Sequence, residues 1–313
     1  MGGIGVVLNP NAAGNRGAGR EVDRFREIVA DNGEVVVTAD LAELEVALRR
    51  FHDRGFDLVA VCGGDGSMCH AVSRVVQIWG EWRLPDFVAL RGGTINNIAR
   101  TVGGPARPDA MLQGIVAAYT GGRPFASVDR PLIRVNGSLY GNVVGAGLIT
   151  GFLEHYYRGR NPGPVSAAGL LVRCGISWLA GGKLIDAVVP RLAARAQCDG
   201  EVLPFDAFTI VLASSVSHIG LGVTPFYLSG RKRGYFHVLA GPATPGQLLG
   251  RVPRFWRGFP ATLDSLYDNM AQRFRVEFAS PQSYTIDGEL FDPVSVLELE
   301  SGPTVRFLKG ESV

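Results

Sequence analysis

Cysteine is scarce in this sequence and poorly spaced for chemistry: Cys62, Cys69, Cys174 and Cys198 form no CxxC pair and have no histidine at ligand spacing. That excludes a disulfide framework and a zinc site of ordinary spacing, and predicts buried free thiols. Net charge is scarce too. With 31 Lys and Arg against 29 Asp and Glu, the balance of +2 is far from the basic face or stripe of a nucleic-acid binder, so no such partner is expected. Long apolar runs are also missing. The most hydrophobic stretch, 167–189, is broken by Arg173, Lys183 and Asp186 and falls short of the ~20 residues of a membrane span. Residues 1–8 lack the charged start and apolar stretch of a signal peptide. The expectation is a cytoplasmic protein that touches a membrane only from its surface. The remaining histidines, His52, His155, His218 and His237, have no spacing that suggests a metal or a triad.

What is present is a chain of 313 residues, enough for two domains, whose halves follow different grammars. Over the first 120 residues short apolar runs alternate with helix-period segments, the pattern of a parallel sheet covered by helices. Between the first and second runs lie a strand at Val35–Thr38 and a helix whose Leu41, Leu44, Leu48 and Phe51 recur at three- and four-residue steps, which marks all four as core. After Pro124 paired β segments take over, with hairpin signals at Asn136-Gly137, Asp199-Gly200 and Asp287-Gly288. Helical segments at 148–157 and 165–185 interrupt them. The fold class expected is therefore α/β plus β: a nucleotide-binding domain over 1–124, then a mainly antiparallel domain over 125–313 with a helical insertion, its last strands able to return to the first domain.

Three strands of the first half end in unusual loops: Asn9-Pro10-Asn11-Ala12-Ala13-Gly14-Asn15-Arg16-Gly17, Gly63-Gly64-Asp65-Gly66-Ser67 and Arg91-Gly92-Gly93-Thr94-Ile95-Asn96-Asn97. In an open parallel sheet, ligands bind outside the carboxyl ends of the strands, so the three loops should converge on one crevice. A strand, a glycine-rich turn and a helix start together offer outward backbone N–H groups and the positive end of a helix dipole, which suits phosphate. A plain strand-to-helix turn needs only one glycine; the second loop has three. Thr94 and Asn96 add polar groups for ribose or phosphate, and Arg16 is either a phosphate contact or a solvated loop charge.

In this order, Asn9-Pro10-x3-Gly14, Gly63-Gly64-Asp65-Gly66-Ser67 and Gly93-Thr94-x-Asn96 resemble the catalytic domain of diacylglycerol and sphingosine kinases, above all the soluble bacterial lipid kinases. Tyr284-Thr285-Ile286-Asp287-Gly288-Glu289 resembles that family's late Asp-Gly-Glu motif, so the likeness spans nearly the whole chain. The resemblance implies a Rossmann-like nucleotide domain, a β-sandwich lipid domain, and transfer of the ATP γ-phosphate to a lipid hydroxyl with Mg²⁺. It places Asn9, Pro10, Asn11, Ala12, Ala13, Gly14, Thr38, Gly64, Asp65, Gly66, Ser67, Met68, Cys69, His70 and Thr94 at the nucleotide. It assigns Glu289, with Asp287 beside it, to the reacting hydroxyl, and has Asp65 act through Mg²⁺. Asp199-Gly200-Glu201 spells the same three residues at another hairpin, so a plain Asp-Gly turn is the competing reading of both.

Against the family pattern, Asn97 stands where many relatives carry an Asp and His70 where they carry a Glu; both changes remove a carboxylate from the proposed metal and phosphates. Where bacterial relatives bind a structural Mg²⁺ at an acidic turn, this chain has Ser229-Gly230-Arg231-Lys232-Arg233-Gly234, three cations that would repel the ion. That run is either a solvated hairpin tip or a surface facing anionic lipid. Arg251-Val252-Pro253-Arg254-Phe255-Trp256-Arg257-Gly258-Phe259 interleaves arginines with aromatics as interfacial segments do, or else is a half-buried helix. Two other functions stay open: a nucleotide- or lipid-binding module that has lost turnover, and an NAD kinase, although that family's Asn-Glu pair is missing here.

Overall fold

The computed structural model describes residues 2–12, 14–15, 19–93, 96–159, 164–180, 182–217 and 224–310, and divides into two units, 1–130 with 303–313 and 131–302. In the first unit β1 (Ile4–Leu8), α1 (Gly19–Val29), β2 (Gly33–Val37), α2 (Leu41–Asp53), β3 (Leu58–Gly63), α3 (Asp65–Trp79) and β4 (Asp86–Arg91) alternate, followed by α4 (Asn97–Val102) and α5 (Pro108–Thr120). The strands run parallel in the order β2-β1-β3-β4. Every residue of β1 and β3 is buried, as expected of strands covered by helices on both faces. Ile4, Val6 and Leu8 pack with Phe25 of α1 and Leu112 and Ile115 of α5. On the other face Phe51 of α2 stacks on Phe56, and a side chain at Gly5 would meet the Phe51 ring at 2.3 Å, so glycine is required there. Leu44, Leu48 and Phe51 are core, but Leu41 is 44% exposed. Leu41 sits in the first turn just after the Asp40 cap, ahead of the stretch of helix that meets the sheet. Periodicity alone does not register where a helix begins to be covered.

The second unit begins within β5 (Ala126–Val135) and continues through β6 (Leu139–Gly141), β7 (Val143–Gly147), α6 (Leu148–Tyr157), α7 (Pro164–Leu179), α8 (Lys183–Val188), β8 (Leu192–Cys198), β9 (Glu201–Val202), β10 (Ala207–Phe208), β11 (Ile210–Ser214), β12 (Phe236–Gly241), α9 (Pro245–Trp256), β13 (Tyr267–Ala271), β14 (Arg273–Ile286) and β15 (Glu289–Lys309), whose residues after 302 belong to the first unit. Its sheet is antiparallel in the order β13-β12-β11-β7-β14-β15. The first part of β14 also pairs with β8. The three hairpin signals are turns with positive φ at both central residues: Asn136 46° and Gly137 75°, Asp199 48° and Gly200 92°, Asp287 51° and Gly288 95°. That handedness matches the strand twist, which is why Asn-Gly and Asp-Gly occur there. Helices α6, α7 and α8 pack on each other around Tyr156, Leu170, Cys174 and Ile185. Among the described residues no helix is long and apolar enough to cross a membrane. All four cysteines are buried and free.

Candidate functional site

Register decides where the glycine loops meet. Leu8 pairs with Cys62 and Cys62 with Leu90, so β1, β3 and β4 end level and their loops leave the sheet side by side. The backbones then touch. Gly92 N–H donates to Gly63 O at 3.0 Å, and Gly14 N–H donates to Gly92 O at 2.9 Å. Asn9 Nδ2 donates to Ser67 Oγ at 2.9 Å, which ties the first loop to the start of α3. Gly93 N–H donates to Asn96 Oδ1 at 2.8 Å, and Asn96 itself lies at φ 52°. Thr38, just past β2, joins the same edge through its N–H to Leu8 O at 2.9 Å, and Asn11 Nδ2 reaches Ala39 O at 2.9 Å.

The glycines divide by what they make room for. A Cβ on Gly93 would lie 2.4 Å from Gly64 Cα, one on Gly92 would lie 2.8 Å from Gly63 N, and one on Gly63 would lie 2.5 Å from Ser67 Oγ. Gly92 and Gly93 are required by loop against loop, and Gly63 by the turn of its own loop back onto Ser67. Gly64 differs: its Cβ would meet nothing nearer than Gly93 Cα at 3.6 Å, and its φ of −86° is open to any residue. As N-cap of α3 it brings no side-chain cap, so the helix start is left to other hydrogen-bond acceptors. This combination of an uncapped helix start and an unfilled Cβ position is the part of the cradle that suits a phosphate.

Asn15 is the residue that sequence reasoning missed. It is 2% exposed, and its amide donates to Asn9 O at 2.8 Å and Cys62 O at 3.1 Å while accepting from Cys62 Sγ. It fastens the first loop to the end of β3. The only signal was an amide side chain inside a glycine loop, which marks a turn as readily as a strut. Burial pushes the Cys62 thiol up to about 12, so this cysteine is no nucleophile.

The other predicted positions sort as follows. Asp65 Oδ1 accepts the Ile98 N–H at 2.9 Å and so caps α4. Met68 and Cys69 are core side chains, with Met68 N–H bonded to Gly64 O, so any approach to a nucleotide there is by backbone. Ala13, Arg16, Gly17 and Thr94 lie outside the described residues, as does His218. His70 on α3 is half-buried; burial first, then the Arg74 guanidinium, hold its imidazole below the ordinary 6.5. The unfolded chain therefore takes up a proton near 6.5 that the folded chain refuses, and stability contributed above 6.5 is lost as pH falls toward the folded value. Denaturant titrations at pH 7.5 and 5.5 should show the wild type losing stability over that interval, and His70→Gln losing less.

In the second unit the Asp287-Gly288 turn joins β14 to β15. Both Asp287 carboxylate oxygens accept the Asn142 N–H at 3.1 Å, and Oδ1 also accepts the Val143 N–H at 2.9 Å. Asp199 repeats the device, accepting from Gln272 N–H at 3.0 Å and Arg273 N–H at 2.8 Å. In both turns the aspartate pins the start of a neighbouring strand. Glu289, one step beyond, is exposed at the first position of β15.

Residues 3–122 match a family model described as the diacylglycerol kinase catalytic domain. The likeness to that family lies in these residues. The match takes in all three glycine loops and stops before the Asp287 turn. Among solved structures, a diacylglycerol kinase from Bacillus anthracis str. Sterne superposes with a TM-score of 0.64 at 14% identity, covering 99% of this chain and 98% of that one. A candidate diacylglycerol kinase of the same strain gives 0.67 at 15%, covering 98% and 96%. At such identity the likeness establishes the fold: an α/β domain followed by a mainly antiparallel one. No curated protein sequence matches.

A nucleotide fits the loop edge on the chemistry of its donors: uncapped helix N–H groups, the Ser67 hydroxyl and the Asn9 amide, with no Cβ at Gly64. For Mg²⁺ the fit is leaner. Among the described residues no group of three His, Cys, Asp or Glu gathers at one point. Asp65 is the carboxylate at the loops, and Mg²⁺ commonly takes one or two carboxylates with phosphate oxygens and water completing the shell.

Proposed function

We propose that the protein is an ATP- and Mg²⁺-dependent lipid kinase that transfers the γ-phosphate to the hydroxyl of a diacylglycerol-like or sphingoid-like lipid. The observation that carries this reading is the level ending of β1, β3 and β4, which sets three glycine loops side by side within a kinase catalytic-domain match. Phosphoryl transfer asks little covalent chemistry of the protein and much positioning. In this reading the α3 N-terminus holds phosphate oxygens and Asn9 with Ser67 fixes the first loop against it. Asp65 would hold Mg²⁺, which supplies charge neutralisation of the phosphates. Glu289 orients the acceptor hydroxyl and takes its proton, while Asp287 keeps the hairpin in register.

Purified protein given γ-labelled ATP and a panel of diacylglycerols and sphingoid bases should label at least one lipid. ATP binding without transfer to any of them, and unchanged in Glu289→Gln, would instead support a binding module that has lost turnover. His70 and Asn97, standing where relatives carry carboxylates, are the residues that favour this second reading.

A further inference from the structure

The strand register of the second unit brings four separate segments to one end of its sheet. Ser214 at the end of β11 pairs with His237 and with Val143, so the β11–β12 connection and the start of β7 lie together. Ile286 pairs with Val144, which sets the Asp287-Gly288 turn at that same end. Tyr157, the last residue of α6, donates its hydroxyl to Gly288 O at 2.9 Å. The C-terminal end of α9 is drawn there by Thr224, whose N–H donates to Phe255 O at 3.0 Å and whose hydroxyl reaches Phe255 O and Trp256 O at 3.1 and 3.2 Å.

Beneath these segments lies a buried tie. His237 Nε2 meets Asp268 at 2.7 Å with the imidazole fully buried, and Asp268 also accepts the Ala261 N–H at 3.1 Å. Phe226 and Tyr227 set their rings edge-on to His237, holding the segment that leads into Arg231. Arg251 and Arg254 are used internally: their Nε groups donate to Ala261 O and Pro260 O at 2.8 and 2.7 Å, fixing the loop after α9. Of the interleaved arginines, only Arg257 is exposed.

What this anchored scaffold holds outward is chemically uniform. Trp256, the last residue of α9, is 59% exposed, and Phe259, on the loop that follows and is tied down at its base, is 52% exposed. Arg231, Lys232, Arg233 and Arg257 are exposed, and among the described residues none of them pairs with a carboxylate. Arg231 and Lys232 lie over the rings of Tyr227 and Tyr235. Exposed aromatic rings and unpaired cations held out by one scaffold match the boundary between acyl chains and anionic headgroups.

We propose that this end of the second unit is a docking surface for an anionic lipid bilayer, with Trp256 and Phe259 entering the interface and Arg231, Lys232, Arg233 and Arg257 contacting the headgroups. It rests on the lipid-kinase reading only for its purpose, a water-insoluble acceptor having to be met in its bilayer beside the Glu289 turn.

Flotation with vesicles, without nucleotide, tests it directly. Wild type should float with vesicles of phosphatidylglycerol and phosphatidylcholine in equal parts, and stay behind with phosphatidylcholine alone. At about five-fold per charge, Arg231→Gln/Lys232→Gln/Arg233→Gln should weaken that partition on the order of 100-fold. Trp256→Ser/Phe259→Ser should weaken it by at least about ten-fold through loss of the interfacial rings. Both variants change exposed side chains, and circular dichroism and melting like wild type would establish that they fold. If wild type does not float, or the folded variants float as well as it does, the docking surface is overturned; capture by an acidic polypeptide without flotation overturns it as well. Flotation of a wild type that phosphorylates no lipid would sustain the surface and sink the kinase reading. Phosphorylation of micelle-dispersed lipid with no flotation would do the reverse.

Discussion

Glu289→Gln is expected to lower lipid phosphorylation by roughly 10²–10⁴-fold, the usual range for loss of a positioned general base, with ATP affinity and melting temperature close to wild type. The side chain is exposed at the first position of β15, so the amide replaces the carboxylate without disturbing a core. Asp287→Ala should behave differently. It strips the acceptor from the Asn142 and Val143 N–H groups and should cost about 1–3 kcal/mol of stability, seen as a lower denaturant midpoint. Asp199→Ala removes the same kind of acceptor from Gln272 and Arg273 and serves as the control. If Asp287→Ala abolished turnover without loss of stability while Glu289→Gln kept it, the roles would be exchanged.

The second large effect separates two glycines that look alike in sequence. Gly64→Ala has no steric obstacle within 3.6 Å and an ordinary φ, so it should fold with stability close to wild type, the stiffer unfolded chain offsetting the poorer N-cap. Its methyl group would stand beside the uncapped start of α3, so ATP affinity should fall by at least about ten-fold if phosphate sits there. Gly93→Ala puts a methyl 2.4 Å from Gly64 Cα, a backbone atom that cannot swing away. It should cost about 1–3 kcal/mol as the third loop is pushed off the second, and lose nucleotide binding with it. Calorimetric titration with ATP beside a thermal melt checks both. A Gly64→Ala protein that binds ATP as wild type does would move the phosphate site elsewhere.

Several features were legible because their causes are local. Alternating apolar runs and helix periods marked the parallel sheet, and Asn-Gly and Asp-Gly marked the hairpins because those pairs tolerate positive φ at both positions. The same locality explains the failures. Leu41 shares the spacing of Leu44, Leu48 and Phe51, yet nothing near it in sequence says that the helix meets the sheet only after its first turn. The strut role of Asn15 depends on a carbonyl 47 residues away, and the duty of Asp287 on backbone N–H groups 144 and 145 residues away. Arg251 and Arg254 read like Arg257 in the sequence, but their guanidiniums are spent on a loop that follows them.

The sequence by itself determined the two kinds of sheet, the places where strands turn, and the three glycine loops in their family order, since each follows from the conformational needs of adjacent residues. Only the tertiary structure decided which glycines leave room for a ligand and which for one another, and which member of Asp287-Gly288-Glu289 holds the turn. Both are set by strand register, which brings together atoms far apart along the chain, and close packing then allows each position a single duty.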